Sequence, residues 1–132
     1  MEYNCGSSGV ILFNKNKPNV VTKRTRGSSI LREYEIHCLC YSVCSNNKKK
    51  YTLLQIPRPL SLINQRSYEM EKIEDNEMLG ETDIDSVLWR EVSDFKRELM
   101  RYNIEAFDYE LYMQPNGSVS LIDFDKFKVF SS

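Results

Sequence analysis

No run in this 132-residue chain approaches the roughly 20 consecutive apolar residues of a membrane span, so a helical anchor within it is excluded. Met1-Glu2-Tyr3-Asn4 lacks the basic start and apolar core of a secretory signal, and the expectation is a cytoplasmic protein. Internal repeats and low-complexity linkers are missing too, which leaves neither a solenoid nor tethered domains. Histidine occurs once, at 37, and cysteine four times, at 5, 38, 40 and 44. His37, Cys38, Cys40 and Cys44 resemble a zinc cluster only superficially. They fall inside one helical pattern that splays Cys38 and Cys40 about 200° apart, whereas a zinc site draws on separated ligand pairs. Reduced core thiols are expected instead.

What is present, 41% apolar and 28% charged residues, has the balance of one compact domain over residues 1–132 with a single core. The net charge of −1 hides an asymmetry. Residues 1–70 carry 11 Lys/Arg against 4 Asp/Glu and the remainder 7 against 15, halves of +7 and −8. Either the basic half meets phosphate or nucleic acid, or the two halves attract each other within one fold. The Lys48-Lys49-Lys50 run has no interleaved aromatic platform, which argues against nucleic acid.

Along the chain, Val10-Ile11-Leu12-Phe13 and Val20-Val21-Thr22-Lys23 read as strands joined by a turn over Asn14 to Asn19. Gly27-Ser28-Ser29 offers a break and a cap before a helix from Ile30 to Cys44, with Ile30, Tyr34, Cys38 and Tyr41 at helical spacing. Tyr51 to Ile56, Leu60 to Asn64 and Ser67 to Glu71 read as extended. Glu71 to Asp85, with seven carboxylates and one lysine, reads as an exposed loop. Thr82 and Asp85 have capping-box spacing. Leu88, Val92, Phe95, Leu99 and Tyr102 then mark a long amphipathic helix. Tyr109 to Phe124 reads as a hairpin, with Asn116-Gly117 supplying the positive φ values of a tight turn.

Read in order, these elements resemble a protein-kinase-like N-lobe followed by the first part of a C-lobe. The motifs that carry the resemblance are Gly6-Ser7-Ser8-Gly9, Val20-Val21-Thr22-Lys23, Glu33 on the following helix, and Leu121-Ile122-Asp123-Phe124. The resemblance implies an α+β fold: an antiparallel five-stranded sheet with one packed helix, then a long helix and a C-terminal hairpin. It also implies that the substrate-binding part of the C-lobe is lacking, since nine residues follow Asp123.

The same resemblance assigns roles. Gly6 and Gly9 would approach the phosphates of ATP through their backbone, and Lys23 would pair those phosphates while Glu33, or alternatively Glu35, holds its ammonium. Met70 would stand at the gate of the adenine site, with Glu71 to Ile73 at the hinge. Asp123 would bind Mg2+, with Glu110 thirteen residues upstream at the second metal position and Glu105 at the catalytic one; Asp108 is a nearby substitute. Glu110 and Glu105 replace the asparagine and aspartate of the family, and Asp125 replaces a glycine. The expectation is therefore a degenerate, pseudokinase-type binding and regulatory module with weak ATP and Mg2+ binding and a protein partner. Two alternatives stand beside it: a minimal phosphotransferase completed by a partner, and a nucleotide-independent protein- or nucleic-acid-binding protein. The many Asn and Lys residues fit an AT-rich genome, viral ones included.

Overall fold

Stretches of period-two and of 3.6-residue patterning follow one another along the chain and produce an α+β fold, seen in a computed structural model that describes residues 2–4, 9–27 and 29–130. The strands of the first half are β1 (Glu2–Asn4), β2 (Gly9–Asn14) and β3 (Lys17–Thr25). They precede helix α1 (Leu31–Ser45), which is followed by β4 (Leu54–Gln55), β5 (Pro59–Asn64) and β6 (Ser67–Glu71). The second half holds a short 3-10 turn (Glu81–Asp83), α2 (Ser86–Met100), β7 (Ile104–Glu105), β8 (Glu110–Met113), β9 (Val119–Ile122) and β10 (Lys128–Val129). No described helix is long and apolar enough to cross a membrane.

A five-stranded antiparallel sheet has the order β1-β2-β3-β6-β5. Its fifth member differs from the expected one. Tyr51 to Ile56 contributes only β4, which leaves this sheet and pairs parallel with β9, while Glu2–Asn4 fills the vacated edge. Leu54 and Ile56 are buried, and Leu54 and Ile56 belong to the helical core, so burial drives the exchange.

The sheet's inner face is set by alternation: Val21 and Lys23 on β3 are buried, and Val20, Thr22 and Arg24 are less so. Pairing places Ile11, Lys23 and Tyr68 in one row across that face, with Phe13, Val21 and Met70 in the next. Ile11, Val21, Ile30, Tyr68, Met70 and Ile122 form one apolar cluster. A larger cluster joins α1, α2, β4 and the β8–β9 hairpin around Phe95, Leu99, Leu121, Phe124 and Phe127.

Helix α1 turns a different face inward from the expected one. Glu33, Ile36, His37, Cys40, Val43 and Cys44 are buried, while Tyr34, Cys38 and Tyr41 are half-buried. Two polar residues in the buried stripe mask its amphipathicity. Burial pushes the Cys44 thiol up to about 12 and raises Cys40 as well, so both are protonated core thiols. At the helix start no side chain caps Ile30; its N–H donates to Gln65 O (2.7 Å), and Leu31 N reaches Ser29 Oγ at 3.2 Å.

Helix α2 buries Leu88, Val92, Phe95 and Leu99, but Tyr102 lies past its end and is exposed. Its N-cap is Asp85, accepting from Leu88 N at 2.8 Å, while Thr82 belongs to the preceding 3-10 turn. The acidic segment keeps its carboxylates in solvent but is pinned through its backbone: Leu79 N donates to Leu111 O and Met113 N to Glu77 O, which covers the outer edge of β8. Gln114 adds a second tie, donating to Glu74 O and accepting from Glu74 N.

The β8–β9 hairpin pairs Glu110 with Ile122 and Met113 with Val119. Its turn is wider than a two-residue one. Gly117 N donates to Gln114 O and Gln114 N to Ser118 O, with Pro115 inside the turn and only Gly117 at positive φ (89°). Asn116 instead uses its side chain, accepting from Ser118 N and Oγ. Leu111 and Leu121 face the helical core, whereas Ile122 and Tyr112 face the sheet.

Candidate functional site

A lysine is almost never fully buried unless paired, yet Lys23 occupies a core-facing position of β3 and is 3% exposed. Two carboxylates account for it. Lys23 Nζ donates to Glu33 Oε2, in the first turn of α1, and stands 3.6 Å from Asp123 Oδ1, immediately after β9. Sheet, helix and hairpin thus each supply one member of a buried cluster.

Asp123 is the most unusual member. It is 8% exposed, its Oδ1 makes no hydrogen bond, and its φ of 78° lies in the left-handed region. A non-glycine residue persists there only when its surroundings hold it, at a cost on the order of 1 kcal/mol or more. Burial pushes its carboxyl well above the usual range, and a hydrogen bond with the Asp125 carboxyl adds to the rise against the opposing pull of Lys23. Burial likewise raises Glu33, again opposed by Lys23. Beside the cluster lies a cavity of about 10 Å³, lined by Ile11, Lys23, Tyr68, Met70, Ile122, Asp123 and Phe124. That is room for about one water.

The residue after Asp123 is fixed by one that sequence reasoning considered only as a zinc ligand. His37 is fully buried, and its ring lies 4.5 Å from that of Phe124. Pro57 O can only accept, so His37 Nε2 donates to it (2.7 Å), and Nδ1 accepts from the Tyr68 hydroxyl (2.7 Å). Burial lowers the imidazole to about 4, which keeps it neutral. Arg32 donates to Phe127 O at 3.0 Å, and Phe127 packs edge-on against Phe124 at 5.3 Å. Two residues of α1, His37 and Arg32, therefore hold Phe124 and Phe127 in place. The signal in sequence was the spacing of Glu33 and His37, one helical turn apart on one face.

The other expected site residues are distributed more widely. Gly6 lies outside the described residues. Gly9 opens β2, and a Cβ there would stand 2.8 Å from Arg24 O and 3.5 Å from Lys23 Cε, so strand packing already requires the glycine. Glu71 ends β6 exposed, its carboxylate accepting from Arg58 N at 3.2 Å, and Ile73 packs against the sheet cluster. Glu110 is half-buried beside Ile122 and accepts from the Tyr112 hydroxyl at 3.2 Å. Glu105 lies opposite Lys128 in the β7–β10 ribbon, and Asp108 is exposed at φ 53°. Among the described residues no hydrogen bond or ion pair joins Glu105 or Asp108 to the Lys23 cluster. Glu35, the alternative partner for Lys23, is exposed.

The donor set bears on magnesium. Among the described residues no group of three or more His, Cys, Asp or Glu side chains is arranged to hold a metal ion. Asp123 Oδ1, paired with Lys23 at 3.6 Å but without a hydrogen bond, would offer one ligand, which fits an ion that arrives with phosphate oxygens and water and does not fit a dedicated protein cage.

No protein-family model matches the chain, and no curated protein matches its sequence. The kinase-like resemblance rests on the sequence motifs and their order.

Proposed function

We propose that the chain is a degenerate kinase-like binding and regulatory module whose Lys23–Glu33–Asp123 cluster, closed over room for about one water, opens to receive the phosphates of a magnesium nucleotide weakly and does not transfer them efficiently. The observation that carries this reading is the meeting of Lys23, Glu33 and Asp123, from three elements, around a carboxylate oxygen left without a hydrogen bond. A bound magnesium ion would neutralise phosphate charge; the chain's own part is to present the Asp123 oxygen and aim the Lys23 ammonium. Glu105 and Glu110 stand where the family carries its catalytic aspartate and metal-binding asparagine, which supports binding over catalysis.

Differential scanning fluorimetry with millimolar MgATP tests the reading. The melting temperature should rise with ligand concentration in the parent and not in Asp123→Asn, because a ligand that binds only the folded state stabilises by mass action. An equal response in both proteins, or none in either, removes it.

A further inference from the structure

A further carboxyl, Asp125, stands beside those of Glu33 and Asp123. It lies in a turn closed by Phe127 N donating to Phe124 O at 3.2 Å. Phe124 and Phe127 are each 1% exposed, so a buried ring on either side fixes the turn. The Asp125 carboxyl reaches that of Asp123 by a hydrogen bond and lies close enough to Glu33 to repel it. It is half-buried where Asp123 is buried, which puts it on the solvent side of Asp123.

Charge and spacing both point to a divalent cation. Among Lys23, Glu33, Asp123 and Asp125, three carboxyl groups face one ammonium. Full ionisation leaves an excess of two negative charges, the amount that one divalent ion offsets. Asp123 Oδ1 adds an independent observation. It is buried and makes no hydrogen bond, and Lys23 Nζ at 3.6 Å is beyond hydrogen-bond reach of it. Magnesium takes oxygen ligands at about 2.1 Å in an octahedron, so neighbouring ligands stand about 3 Å apart, close to the separation of hydrogen-bonded oxygens. Carboxyl groups already in that contact can hold one ion between them with little movement of the chain. Glu110, where the resemblance expects the second ligand, accepts instead from the Tyr112 hydroxyl.

We propose that Asp125 is the second carboxylate ligand of the divalent cation that Asp123 holds, with phosphate oxygens of the nucleotide and water completing the shell. This assignment rests on the magnesium-nucleotide reading of the cluster and adds a ligand at the position where the family carries glycine. One or two carboxylates beside phosphate are the usual protein share of a magnesium site. No larger cage is present among the described residues.

Mn2+ replaces magnesium in the test, given to the full chain alone and with an equal amount of ATP. Water proton relaxation reads binding, because its enhancement rises when the ion is carried by the slowly tumbling protein. Asp125→Asn and Asp125→Ser, both checked for folding by circular dichroism, should weaken Mn2+ binding about tenfold by removing one charged ligand. Asp125→Glu, which restores a carboxylate, should recover part of the loss. Asp125 variants that bind like the parent, while Asp123→Asn loses the ion, overturn the assignment and leave the nucleotide reading standing. A loss in Glu110→Gln with none in Asp125→Asn also overturns it. A folded parent that gives no enhancement, with or without ATP, removes both.

Discussion

Asp123 and His37 carry opposite proton linkages within one small volume. The Asp123 carboxyl is raised in the fold, so its contribution to stability is full below the unfolded value near 3.8 and is lost as pH rises through the folded one. Asp123→Asn keeps the shape, tolerates the left-handed backbone and cannot ionise. Urea melts should show this variant gaining stability relative to the parent as pH goes from 5 to 8. A parent and variant with parallel profiles would show that Asp123 is not the group held protonated. His37 runs the other way. Its pKa falls from 6.5 to about 4, so its contribution is full above 6.5 and lost as pH falls toward 4, about 3 kcal/mol across that window. In His37→Gln that acid-side loss should vanish. The two slopes oppose each other in the parent, and only the single variants separate them.

Helix α2 joins the hairpin side to the extended segment through one acid. Glu91 is 1% exposed and accepts from Thr52 Oγ1 (2.7 Å), Leu53 N (2.9 Å) and Leu54 N (3.0 Å). Burial pushes its carboxyl up, but the hydrogen bonds from Leu54, Thr52 and Leu53 outweigh it and hold it below the usual range. Glu91→Ala strands those donors and should cost about 2–4 kcal/mol, read as a lower urea midpoint with unchanged slope. Replacement without loss would mean that water substitutes for the carboxylate. Elements of this kind also mark where sequence reading stopped. The strands around Val10, Val20 and Ser67, the body of both helices, and the hairpin closing on Asp123 were legible, because apolar spacing and Asn-Gly chemistry are local signals. The inward face of α1 was not, since Glu33 and His37 interrupt its stripe and their partners lie on other elements. Glu91 was hidden for the same reason: a carboxylate on an apolar face is recognised only through the backbone it caps. Lys23 and Asp123 were identifiable as motif residues, but their meeting across 100 positions is a property of the fold.

At the scale of the whole molecule, a sheet cluster and a helical cluster meet at the buried charges. Lys23 belongs to the sheet, Glu33 to the helix beneath it, and Asp123 to the hairpin, so a single ammonium contacts carboxyl groups from both other elements. The pair Lys23–Asp123 also spans the basic and acidic halves, whereas Arg97–Asp94 and Arg101–Glu98 are local to α2. Buried pairs are costly to break because the remaining charge keeps its desolvation penalty. Lys23→Met should therefore destabilise by about 3–5 kcal/mol, with hydrogen exchange quickening first in β3 and at Ile122 to Phe124, where sheet and hairpin meet. Adding Glu33→Leu to that variant removes one stranded carboxylate and should restore a large share of the loss, so that the double variant is more stable than Lys23→Met alone. If the two changes simply add, Lys23 and Glu33 are not coupled in solution, and the cluster loses its claim to join the two halves. If they compensate, Lys23 and Glu33 are coupled in the fold, and the double variant leaves Asp123 as the one carboxyl of the three in the cluster.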